Sequence, residues 1–237
     1  MSNVQTQLTM IANLLRRRKI CRDVSPILNA IPKIGKNGEN SIIIEGLEIV
    51  LPKPSNMRPT NLIKLVALIT VETTCKQMNE IDIDHMFNNY MFNVVFKGYG
   101  ANEDEYYYSS FHLDYDPSNS SNFIHPWFHL TYGGINVKNV DHGELMILPA
   151  PRIPVWPMDF ILGLDFILSN FLDQERYKKE FIADSNYRSA LKKAQDSIWR
   201  PYILSISHHW CKFSDCKYNM VNIDLSHNYV PTLIADA

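Results

Sequence analysis

Three groups of residues have types and spacings suited to chemistry. The densest is Phe111 to Gly134, FHLDYDPSNSSNFIHPWFHLTYGG, which holds His112, Asp114, Asp116, His125 and His129. Residues two apart on a strand point to the same side, so His112 and Asp114 share a face. His125 and His129, four apart, share one as well if Pro126 opens the strand. Pairing two such strands would gather imidazoles and a carboxylate. That donor set suits zinc, manganese or iron, and equally general acid–base catalysis. The competing reading is a set of polar residues on a solvated or partner-facing sheet.

The second group is Ser207 to Cys216, SHHWCKFSDC, with His208, His209, Cys211 and Cys216. A C-x4-C pair with an adjacent His supplies three of the four ligands of a tetrahedral zinc site, with His208 or a distant group such as His227 as the fourth. The alternative is that the cysteines are small buried apolar residues. The third is Arg152, alone in the proline-rich PAPRIPVWP. A guanidinium in so stiff a segment suits two-pronged binding of a carboxylate or phosphate. It equally suits a buried ion pair with Asp114 or Asp165. Asp141-His142-Gly143 reads as a turn. There is no H-E-x-x-H helix, phosphate loop, dinucleotide fingerprint or G-x-S-x-G elbow.

The elements that must position these groups follow from composition and period. The 237 residues carry 23 Lys+Arg against 25 Asp+Glu, a formal charge of −2, and are 46% hydrophobic. This excludes intrinsic disorder and gives no global pull toward nucleic acid or membrane. Four cysteines are too few for a disulfide framework in a chain of this length. The start, MSNVQTQLTM, is not a secretory signal. The longest apolar run, Leu65 to Val71, is far short of the roughly 20 residues of a spanning helix. These features point to a cytoplasmic protein with reduced thiols and no membrane contact.

Val4, Leu8, Ile11 and Leu15 mark a helix over 3–20, closed by Arg16, Arg17, Arg18 and Lys19. Ser41 to Leu51 predicts a strand with an irregularity at Gly46. LPKPSNMRPT, with prolines at 52, 54 and 59, predicts a linker, and Thr60 a helix cap for an apolar helix through Cys75. Four strands follow in Met91–Phe96, Tyr106–Tyr115, Phe123–Tyr132 and Glu144–Leu148. Phe111, Leu113 and Tyr115 should share one face of the second. Pro157 opens a helix with Phe160, Ile161, Leu164, Ile167, Leu168 and Phe171 on its apolar side, and a last helix spans about 185–199.

The expected fold is α+β: a four-stranded antiparallel meander packed against helices on one face, with an N-terminal helix and a loop-rich C-terminal tail. We expect one domain over 1–237, made of a 1–58 extension with its linker at 52–59, a 60–200 core and a 201–237 tail.

Two resemblances attach to particular residues. Leu113-Asp114-Tyr115, His129-Leu130-Thr131-Tyr132-Gly133, Arg152-Ile153-Pro154-Val155 and Phe166 to Phe171 resemble the bacterial family called domain of unknown function 2290, over about 111–171. That family has no assigned activity. The likeness implies an accessory bacterial protein, in a phage-defence or mobile-element setting. The order of elements, with His125-Pro126, Gly143-Glu144-Leu145-Met146 and Trp156-Pro157, is also similar to ubiquitin-conjugating (E2) enzymes. Met146 stands where their nucleophilic cysteine would be, which implies a non-catalytic binding variant.

The leading expectation is a binding or scaffolding component in a complex with another protein. Tyr106, Trp127, Trp156 and Arg152 are its candidate contact residues. The rival is a metal-dependent hydrolase or nuclease using His112, Asp114, His125 and His129, with zinc as the candidate metal. Positive charge gathers at Arg16–Lys19 and around Lys178–Lys193, and acid at Glu103–Glu105 and Asp114–Asp116. Such segregation points to a protein partner before a long nucleic-acid track.

Overall fold

A computed structural model describes residues 3–35, 40–53, 62–75, 87, 89–101, 106–117, 126–133, 153–207, 209 and 229. It is α+β, with one antiparallel sheet whose strands lie side by side in chain order. These are β1 (Asn40–Leu51), β2 (Lys64–Cys75), β3 (Asn89–Tyr99), β4 (Tyr106–Tyr115), β5 (Phe128–Tyr132) and the two-residue β6 (Ile153–Pro154). The helices are α1 (Asn3–Arg17), α2 (Ser25–Ala30), α3 (Phe160–Phe171), α4 (Gln174–Tyr177), α5 (Ser185–Ala194) and α6 (Arg200–Ser207).

Strand alternation sorts the sheet into two faces. Ile44 and Ile49 of β1, Ile69 and Val71 of β2, Phe92 and Val94 of β3, Leu113 of β4 and Phe128 of β5 are all buried. They join Leu8, Ile11 and Leu15 of α1, Leu164 and Leu168 of α3, and Tyr187 of α5 in one cluster. The helices therefore cover a single face. α3 comes so close that a Cβ on Gly163 would lie 2.0 Å from Phe92 Cε2. Only a residue without a side chain fits that crossing.

The irregularity expected at Gly46 is present. β1 shifts register between Ile44 and Leu47, around Gly46 at φ 66°. A bulge of this kind uses the left-handed backbone that glycine adopts without strain. α1 ends at Lys19, also left-handed at φ 58°, with Arg16 and Arg17 in its last turn.

The sequence-based picture needs correction in two places. Residues 64–75 form β2, a central strand and not a helix. In β2, Leu65, Ala67, Ile69, Val71 and Thr73 are buried on the helix-covered face and, Val66 apart, the residues between them only partly. Because Leu65 to Ile69 are apolar on both faces, the sequence hides that alternation, and periodicity cannot separate the run from a buried helix. Its β-branched Val66, Ile69, Thr70, Val71, Thr73 and Thr74 are the residues that favour the strand. The sheet accordingly has more strands than the expected four: β1 and β2 extend it on one side and β6 on the other.

The expected strand at Glu144–Leu148 lies outside the described residues. The last helix continues through a wider, π-type turn (Gln195–Trp199) into α6, seven residues of which lie inside the expected tail. Pro201 has no N–H to donate, so the regular ladder is interrupted where that wider turn sits. Among the described residues no helix is long and apolar enough to cross a membrane.

Candidate functional site

The face of the sheet turned away from the helices carries the His–Asp group. β4 places His112 and Asp114 there, and antiparallel pairing sets His129 of β5 directly opposite Asp114. The three meet at one atom: Asp114 Oδ2 lies 3.1 Å from His112 Nε2 and 3.6 Å from His129 Nε2. His129 is almost fully buried, at 3% exposure, whereas Asp114 keeps 40%.

Nδ1 of His129 is 3.1 Å from the carbonyl oxygen of Pro126. A carbonyl can only accept, so Nδ1 carries a proton and donates it there. Nε2, at 3.6 Å, stands at ion-pair distance from the Asp114 carboxylate when the ring is charged. Of the four residues expected to converge, His112, Asp114 and His129 stand together, and His125 lies outside the described residues. The meeting of the three makes a carboxylate that orients imidazoles, the arrangement of an acid–base pair. Among the described residues, no group of three or more His, Cys, Asp or Glu side chains is arranged to hold a metal ion.

His125, Arg152, His208, Cys211 and Cys216 lie outside the described residues, as does the side chain of Tyr106. His209 sits just past α6, its backbone N–H donating to Ile206 O at 3.2 Å. Trp127 packs edge-on against Tyr115 and Tyr229, at 6.0 and 5.9 Å between ring centres, and its buried Nε1 has no hydrogen-bond partner among the described residues. Trp156 is the exposed one, at 48%. It lies edge-on against Trp199, 4.9 Å between centres, and the Trp199 indole N–H donates to Pro157 O at 2.8 Å. The carboxylate of Asp165, an expected partner for Arg152, accepts from Tyr177 Oη at 2.7 Å and Tyr187 Oη at 2.8 Å.

Sequence reasoning missed two buried polar groups. Asp159 caps α3, accepting from Leu162 N at 2.8 Å. Burial pushes its carboxyl up to about 6, against the pull of the backbone N–H groups. Beside it, Tyr90 donates to Met158 O at 2.7 Å, and its phenol is raised, chiefly by burial. An Asp just ahead of an apolar helix was a readable cap signal. The second group is Asp165 with Tyr177 and Tyr187. Both phenols are raised, first by burial and then by the carboxylate they bind. Spacings of twelve and twenty-two residues leave no local pattern to find them by.

No family model, curated protein or solved structure matches this chain. Function must be argued from these arrangements.

Proposed function

We propose that this chain is a non-enzymatic binding or scaffolding component, and that Trp156 anchors its protein partner. The observation that carries the reading is the exposed indole of Trp156, braced by Trp199 and set between Pro154 and Pro157. A large aromatic held in one orientation loses little freedom on binding, which is what interface hot spots share. Tyr132, at 60% exposure on β5, and Tyr108, at 41% on β4, add exposed aromatic surface. The likeness of 111–171 to a bacterial family without assigned activity supports an accessory role, in a phage-defence or mobile-element system.

The test is affinity capture from the native cells with wild type and Trp156→Ala side by side. Truncating a hot spot costs about 2 kcal/mol or more, so recovery of the specific partner should fall by about tenfold or more, at unchanged melting temperature. Equal recovery of every partner by both proteins refutes the reading.

A second reading, a metal-dependent hydrolase or nuclease, starts from the meeting of His112 and His129 on Asp114, although that group is not by itself arranged to hold a metal ion. Calorimetric titration with zinc and with manganese decides it. Saturable binding lost in Asp114→Asn supports that reading, and no heat with either ion removes it.

A further inference from the structure

The sequence leaves its two basic segments far apart, and the fold brings them together. Arg18 Nε donates to Glu180 O at 3.1 Å, Arg176 Nη2 donates to Arg18 O at 3.4 Å, and Arg17 pairs with Asp184 at 3.5 Å. The end of α1 is thus fixed against the stretch from α4 to α5. Residues 16–23 and 173–193 together hold eleven basic and five acidic side chains, a surplus of six. The whole chain totals −2, so all other residues together carry −8.

The acids here are partly occupied. Asp184 is taken by Arg17, Glu180 by Arg176 and Glu175 by Lys178. Arg16, Lys19, Arg22, Lys179 and Arg188 are exposed and form no ion pair among the described residues.

We propose that this surface binds the phosphate backbone of duplex nucleic acid, without regard to sequence. Two observations choose this occupant. Among the described residues, the exposed large hydrophobic side chains all lie outside these segments, so the segments themselves supply no apolar anchor of the kind a protein interface needs. Its aromatics are also withdrawn. Phe181 and Tyr187 are buried and Tyr177 is tied to Asp165, leaving no platform on which single-strand bases could stack. What remains is mostly arginine, whose planar fork matches phosphate oxygens.

Fluorescence anisotropy with a labelled random duplex of about 20 base pairs, from about 50 to 300 mM salt, tests the proposal. Binding should weaken linearly in log–log form, and two unrelated duplexes should bind alike. The triple variant R16E/R22E/K179E should lose at least about tenfold at the lowest salt, and R16Q/R22Q/K179Q should flatten the salt slope by about 0.9 for each phosphate contact removed. These residues are exposed, and circular dichroism with thermal melting verifies that the variants fold. W156A should bind duplex as wild type does, which keeps this surface separate from the protein-binding one. No duplex binding at low salt, undiminished binding by both triple variants, or displacement by polyglutamate as effective as by duplex overturns the proposal. The last outcome would assign the surface to an acidic protein.

Discussion

Replacing Asp159 by Asn should stabilise this protein at neutral pH and do almost nothing at pH 4. The carboxylate caps α3 through Leu162 N at 2.8 Å, and an amide oxygen can accept the same bond. What the replacement removes is a charge that burial disfavours. Asp159 titrates near 6 in the fold against 3.8 for an ordinary Asp. The folded state therefore holds its proton to higher pH than the unfolded state. Its contribution is complete below about 3.8 and is lost as pH rises through about 6.

A shift of about two units corresponds to about 3 kcal/mol. Because the residue keeps part of its surface, that figure is a ceiling. Urea unfolding of wild type and Asp159→Asn at pH 4, 5, 6, 7 and 8 measures the difference directly, and other carboxylates cancel between the two proteins. The variant should gain stability progressively between pH 4 and 7. A loss of stability at pH 7, or a difference independent of pH, would show that the helix-end bond to the charged form outweighs burial, and the reasoning would be wrong.

Other expectations follow from contacts already described. Gly163→Ala improves helix propensity by about 1 kcal/mol but drives a methyl group into the buried ring of Phe92. A net loss of about 2 kcal/mol or more in denaturant unfolding is expected, and wild-type stability would disprove the close crossing. Tyr187→Phe removes one of two phenols from Asp165 and should cost about 2 kcal/mol; no change in unfolding midpoint would show that Tyr177 alone suffices. Cys21 is buried, and that burial pushes its thiol up to about 11. Iodoacetamide at pH 8 with peptide mapping should find it unmodified in the native protein; rapid alkylation there would contradict its enclosure. Nitrogen-15 NMR of the imidazoles should show His129 protonated at Nδ1, and a lone pair at that atom would break the assigned bond to Pro126.

Much of this was legible locally. Period and end signals gave α1, α3, α5 and β4, including the side of β4 that carries His112 and Asp114. Gly46 announced the bulge in β1. Long-range pairing was harder. Leu65, Val66, Ala67, Leu68 and Ile69 are apolar on both faces of a central strand, so 64–75 imitated a helix. That His112 and Asp114 share a face was readable from their spacing of two, but it took the register of β4 and β5, which no spacing gives, to set His129 opposite Asp114. The Asp165 group and the joining of the basic segments depend on which helices pack together, and neither shows in any window of sequence.

The antiparallel order of the sheet has a consequence for biosynthesis. Every strand pairs with its sequence neighbour, so each hairpin can close soon after it leaves the ribosome. α1 does not share that advantage. It meets α2 early, but it also packs against α5, which begins only at Ser185. At about 5–20 residues per second, part of its apolar stripe waits roughly 10–30 seconds for cover. The N-terminal helix is therefore the segment most in need of a chaperone, and slowing translation between β5 and α5 should lower the soluble yield more than slowing it within the sheet.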